Sequence, residues 1–267
     1  MNNRNFHIKV FFLFLLSIAN LSTCLSQKLY KVSKKQFGTI IGSSFVMGGT
    51  GYLFENNRAP ISAQNFKGLD PQSIPKFDRS TIGNYSEEAS KQSDYFKHGI
   101  WAAPLTLFSS REGRKNALEI GAMYSEVISL NRGLTAMTKG IAGRYRPYTY
   151  NSNFDLDKQP IETTRRSFFS GHVSHVASLS FFTATVFDDL YPDSDYKYLV
   201  WAGAVSAPAI TAYLRVVSGN HFPTDVIVGY SVGALVGVLI PRLHKMSTTS
   251  NLEIKGAQNG LGLVYTF

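Results

Sequence analysis

Val226–Ile240 reads VIVGYSVGALVGVLI, fifteen residues without a charge and with glycines at 229, 233 and 237. A four-residue glycine spacing lines up three positions without side chains on one stripe of an α-helix, where a second helix can pack closely. The period-two alternation of a strand is missing. Two comparable apolar segments precede it, Val173 to Phe187 and Tyr198 to Leu214, the latter with Pro208 inside. From Arg111 to Thr138 apolar residues recur at helical spacing through Leu118, Ala122, Ile128 and Ala136, with Glu119, Glu126 and Arg132 among them, which predicts one long amphipathic helix. Gly38 to Phe54 is apolar but carries five glycines, and reads either as a packed Gly-rich helix or as a weak membrane-embedded one. Strand-like character is confined to the tail, Leu261 to Phe267. The expected fold class is all-α, a helical bundle with a short β tail at the C-terminus.

The 267 residues are 44% hydrophobic and 17% charged, enough apolar material for a core, which excludes wholesale disorder. Ten prolines and 22 glycines follow no fixed period, so collagen-like and low-complexity chains are excluded too. With 27 Lys and Arg against 18 Asp and Glu, the net charge of +9 favours anionic partners: nucleic acid, lipid head groups or phosphorylated small molecules. Cys24 is the only cysteine, which excludes a zinc finger, a disulfide scaffold and a Cys-X-X-Cys redox site.

Met1 to Lys9 holds Arg4 and Lys9 and no acid, and the apolar run Val10 to Leu21 follows before a small polar stretch ending at Ser26. That is the layout of a secretory leader, too short for the ~20 residues of a spanning helix. Cleavage near Ser26 is the expectation; lipidation at Cys24, in the box-like Leu21-Ser22-Thr23-Cys24, is the alternative. The expected organisation is a leader over 1–26, a helical and loop extension over 27–95, a core domain over 96–245 and a tail over 246–267. Asn56 to Asp94 is polar and broken by Asp70-Pro71 and Ile74-Pro75, so little chemistry is expected there. The three apolar segments each fall below the spanning norm, and mean hydropathy is only −0.06. Buried helices of a soluble or peripheral bundle are therefore expected, with an integral membrane bundle as the alternative.

Three clusters carry candidate chemistry. In KGIAGRYRP, Lys139 and Arg146 stand at the end of the long helix with glycines between them, a setting for a multiply charged oxyanion. Cations at a helix C-terminus are also favoured by the dipole alone. In SFFSGH, Ser170 is an N-cap candidate, and the backbone N–H groups of Gly171 and His172 would face an anion at the start of the next helix. His175, one turn on, has no local third ligand, so a metal is not expected. In RVVSGNHFPTD, Asp225 can reach back to one ring nitrogen of His221 while Pro223 occupies the first turn of the following helix. Arg165 and Arg166 read as solvated rim charges.

Taken in order, these clusters resemble the signature of the type 2 phosphatidic acid phosphatase and vanadium haloperoxidase superfamily: Lys-x6-Arg-Pro, Pro-Ser-Gly-His, then Ser-Arg-x5-His-x3-Asp. The resemblance covers about 90 residues, Lys139 to Asp225, with Phe169 in place of the usual proline and Leu214 in place of the serine before arginine. Neither departure removes a titrating group. The resemblance implies that Lys139, Arg146 and Arg215 clamp phosphoryl oxygens, helped by Ser170 and the Gly171 amide. It makes His221 the nucleophile, oriented by Asp225, and His172 the acid that protonates the leaving oxygen and then activates water. No metal or other cofactor is implied. The expected activity is a metal-independent phosphatase acting on phosphomonoesters or diphosphates, lipid-linked or small and soluble, through a phosphohistidine. The alternatives are a vanadate-dependent haloperoxidase and a non-catalytic anion-binding protein. The leader places any of these in the periplasm or cell envelope, and nucleic acid is not an expected partner.

Overall fold

The computed structural model describes residues 28–59, 68–151, 163–246, 251–257 and 260–266. The expected leader and Cys24 lie outside them. The long helices are α1 (Lys34–Asn56), α2 (Glu87–Gly99), α3 (Ala117–Ala142), α4 (Gly171–Leu190), α5 (Tyr196–Val217) and α6 (Pro223–His244), joined by loops and short helical turns. The bundle is all-α, as expected. The tail is a two-stranded antiparallel hairpin, β1 (Asn251–Ala257) and β2 (Gly260–Thr266), with Leu252 opposite Tyr265.

The helix expected over Arg111 to Thr138 is broken at Asn116 into Arg111–Lys115 and α3. Asn116 turns its side chain away from helix continuation, donating to the Glu112 carbonyl and accepting the Leu29 N–H, each at 3.1 Å. At the other end α3 runs on to Ala142 and stops at Gly143, whose φ of 53° is the left-handed conformation of a helix C-terminus. Lys139 therefore sits inside the last turn and not beyond it.

Close backbone approach organises the bundle. The α6 stripe of Gly229, Gly233 and Gly237 lies on the α4 stripe of Ser170, Ser174 and Ser178. A Cβ added at these glycines would stand 2.6, 2.2 and 2.5 Å from the respective serine carbonyl oxygens. The same device joins α1 to α3, where a Cβ on Gly133 would meet the Ser44 carbonyl at 2.5 Å and one on Gly51 would meet Ala136 at 2.3 Å. The Gly-rich segment is thus a packed helix. Ile120, Met123 and Val127 of α3, Leu179 and Phe182 of α4, and Val236 and Ile240 of α6 fill the core between them.

At the end of the bundle away from Gly229, the first described residues strap α6. Tyr30 is fully buried, its phenol donating to Asp189 at 2.8 Å, while the Lys31 N–H bonds the His244 carbonyl and the Met246 N–H bonds the Leu29 carbonyl. The outside of the bundle is apolar in places: Leu199 and Tyr213 on α5, Leu235 and Leu243 on α6, and Phe45 on α1 are all exposed. Tyr196–Val217 and Pro223–His244 are long and apolar enough to cross a bilayer by length and composition.

Gly233→Val should lower the apparent melting temperature of the detergent-solubilised protein sharply, because overpacking against backbone costs roughly 1–3 kcal/mol or more. Gly203→Ala, at an exposed α5 position with nothing within 4 Å, should leave it unchanged or raise it slightly.

Candidate active site

The site lies where α3 ends and α4 and α6 begin. Packing of Gly229 on Ser170 brings those two N-termini side by side, and the Ser170 N–H donates to the Asp225 carbonyl at 3.0 Å, which ties them. Asp225 itself is fully buried. One of its oxygens accepts the Ser167 hydroxyl at 2.5 Å and the Phe222 N–H at 2.9 Å, and the other accepts the Arg144 guanidinium at 2.6 Å. Arg144 also reaches Asp78 at 2.7 Å and lies over the Phe222 ring. Asp78, 1% exposed, in turn accepts both the backbone N–H and the hydroxyl of Thr224.

This network corrects the expected contact between Asp225 and His221. The carboxylate stands 3.7 Å from Nδ1, and the ring nitrogen instead bonds the Ser167 carbonyl at 2.7 Å. A carbonyl only accepts, so the proton sits on Nδ1 and the lone pair on Nε2. Asp225 acts at one remove, through the Ser167 segment. Burial, and after it the charges of Lys139, Arg215 and Arg146, push the His221 imidazole well below its ordinary pKa. At neutral pH the ring is therefore uncharged.

Among the described residues the three cations meet neutral oxygens only. Lys139 donates to the Arg166 carbonyl, Arg146 to the Asn220 side chain at 2.6 Å, and Arg215 to Ser93 and Ser90 at 3.2 and 3.4 Å. Nε of Arg146 and of Arg215 is buried without a partner among the described residues. Gly171 lies against the Lys139 side chain, a Cβ there falling 3.7 Å from Cε. Ser170 occupies the N-cap position of α4 but makes no capping bond, contrary to expectation, and its buried hydroxyl has no partner among the described residues. It is free to donate to an anion at the helix N-terminus.

His172 bonds Asp94 of α2 through Nε2 at 2.7 Å. That hydrogen bond holds the Asp94 carboxyl below the usual carboxylate range. The expectation of little chemistry over Asn56 to Asp94 is overturned, since Asp78, Ser90, Ser93 and Asp94 all enter the site. No spacing rule marked them. On the sequence α2 reads as a solvated helix, and the burial of Ser93 became visible only once α2 lay on α5. Arg144 was also missed, hidden between two cations already explained.

The rim arginines are less solvated than expected: Arg166 pairs with Glu55 at 3.0 Å, and Arg165 donates to the Tyr145 hydroxyl at 2.8 Å. Among the described residues no group of three His, Cys, Asp or Glu side chains is placed to hold a metal.

Residues 121–249 match the family model of the PAP2 superfamily. Among characterised proteins, the chain is 26% identical over 140 residues to the lipid A 4'-phosphatase of Porphyromonas gingivalis. The match covers 52% of this chain and 56% of that one, so the chain spans about half the length of the relative. Among solved structures it resembles a transmembrane PAP2 type phosphatidylglycerolphosphate phosphatase from Bacillus subtilis. There the identity is 20% and the TM-score 0.43, with 88% of this chain and 94% of the other covered.

Arg144→Gln should destabilise the fold by roughly 3–5 kcal/mol, because it strands two buried carboxylates. Thermal unfolding followed by circular dichroism checks this, and a melting temperature equal to that of the wild type would contradict the network.

Proposed function

We propose that the protein is a phosphatase that removes a phosphate group from a lipid-linked ester at a membrane surface, through a phosphohistidine at His221. The observation that carries this reading is the gathering of Lys139, Arg146 and Arg215, none paired with a carboxylate among the described residues, around an imidazole whose Nδ1 proton is fixed by the Ser167 carbonyl. A phosphate ester near neutral pH carries up to two negative charges, and three preorganised cations plus a helix N-terminus complement the charge on its oxygens.

The steps follow from that placement. Nε2 of His221 attacks phosphorus while the bond to the leaving oxygen breaks, and imidazolium His172 delivers its proton to that oxygen. Lys139, Arg146, Arg215, the Ser170 hydroxyl and the Gly171 N–H hold the three non-bridging oxygens. Neutral His172 then takes a proton from water as the water attacks phosphorus. The N–P bond breaks, returning His221 with its lone pair and releasing inorganic phosphate. Burial pushes the His172 pKa down to about 3; the Asp94 hydrogen bond works against that, and the negative charge of a bound phosphate ester favours the imidazolium further.

A lipid substrate is supported by the apolar exterior. Leu199 is 71% and Leu243 60% exposed on helices long enough to cross a bilayer, a surface ill suited to water. This reading replaces the soluble bundle with one whose α5 and α6 face lipid, and the leader-like N-terminus directs it to the cell envelope. The relative's name points to a phosphorylated glycolipid as the substrate class.

Release of inorganic phosphate from a panel of lipid and soluble phosphates should be abolished in His221→Ala and His172→Ala, each still folded by circular dichroism. A chelator should change the rate little. Halide oxidation with vanadate and peroxide, in place of phosphate release, would move the assignment to the haloperoxidase alternative. Asp94→Asn should lower kcat about tenfold or more and move the alkaline limb of its pH profile to lower pH, since an amide no longer favours the imidazolium.

A further inference from the structure

A cavity of about 630 Å³ opens beside the reaction site. It shares Lys139, Gly171 and His172 with that site and extends along α3 and α2 to Arg132, Lys97 and Trp101. Among the described residues four Lys or Arg side chains and three histidines line it, and no carboxylate does. The proposed chemistry uses only Lys139 and His172 among these seven. The Arg132 guanidinium lies over the Trp101 ring at 5.6 Å, and His175 tilts against the same indole at 4.8 Å, so the aromatic ring braces both.

Two atoms of the wall await a partner. Asn131 Oδ1 and His175 Nε2 are buried with no hydrogen bond among the described residues, in side chains 2% and 8% exposed. Leaving such atoms unpaired is costly, and native proteins rarely do so away from a ligand or a functional site. Arg132 and Lys139 are seven residues apart on one face of α3, two turns or about 10.5 Å along the axis.

We propose that this cavity is a second anion subsite. Arg132 and Lys97 take a second phosphate of the same substrate molecule, while Asn131 and His175 bond hydroxyls of the scaffold between the two phosphates. The proposal rests on the reading under Proposed function and adds the specificity of its head group. A diphosphate, whose phosphorus atoms share one bridging oxygen, is too short for two helical turns. A rigid, hydroxylated scaffold phosphorylated at both ends has the length, and a head group of that size suits the cavity, since ligand sites commonly run to roughly 300–1,000 Å³.

The test compares two synthetic glycolipids with the same acyl chains and disaccharide, one phosphorylated at both ends and one only at the hydrolysed end. With the full chain in detergent, kcat/KM should be about tenfold or more higher for the doubly phosphorylated lipid. In Arg132→Gln and Lys97→Gln that ratio should fall to within about threefold, with the loss concentrated in KM for the doubly phosphorylated lipid. Equal kcat/KM for both lipids in the wild type, or a ratio untouched by either variant, overturns the subsite. Affinities of both lipids for His221→Gln supply a reading independent of turnover. Preferential binding there without phosphate release by the wild type would support the subsite and overturn the phosphatase reading. Hydrolysis of both lipids with equal affinity would do the reverse.

Discussion

The contact on which the site depends is the approach of two helix backbones with nothing between them. Gly229, Gly233 and Gly237 of α6 rest on the carbonyls of Ser170, Ser174 and Ser178 of α4. That spacing leaves no room for a side chain and fixes the rotation of each helix about its own axis. The N-terminus of α4, with Ser170, Gly171 and His172, therefore faces the segment leading into α6, with His221 and Asp225. Had either stripe been bulky, the same residues could occupy the same chain positions without converging.

Held in this frame, the polar groups divide into two layers of opposite character. The outer layer, Lys139, Arg146 and Arg215, bonds only neutral oxygens among the described residues, so no ion pair there quenches its positive potential. The inner layer is ion-paired and hydrogen-bonded throughout: Arg144 bridges the buried carboxylates of Asp78 and Asp225, and Asp225 fastens Ser167. Ser167 joins the two layers, because its hydroxyl answers to Asp225 while its carbonyl fixes the His221 proton. The carboxylate thus acts on the imidazole through a piece of main chain.

The helices and the outer layer were legible in the sequence, and for physical reasons. Charge-free segments with glycines every fourth residue have few ways to fold, and cations next to glycines mark themselves. The inner layer was not legible. Asp78 and Asp94 come from a stretch whose composition is that of a solvated loop; Asp78 is buried by its bonds to the start of α6, and Asp94, half-exposed, meets His172 because of where α2 docks. The direct reach of Asp225 to His221 was a sound inference from a three-residue gap, yet the Ser167 carbonyl, 54 positions away in the chain, comes nearer to the ring. The break at Asn116 was likewise invisible until Leu29 arrived to use its side chain.

The uncancelled charge of the outer layer also acts after the ester bond is gone. Free orthophosphate offers the same oxygens to the same three side chains, so under the proposed chemistry a pocket that collects substrate retains its product as well. Phosphate and substrate then compete for the same side chains. Lys139 and Arg215 are buried, so dissolved salt weakens their grip far less than it would at an open surface.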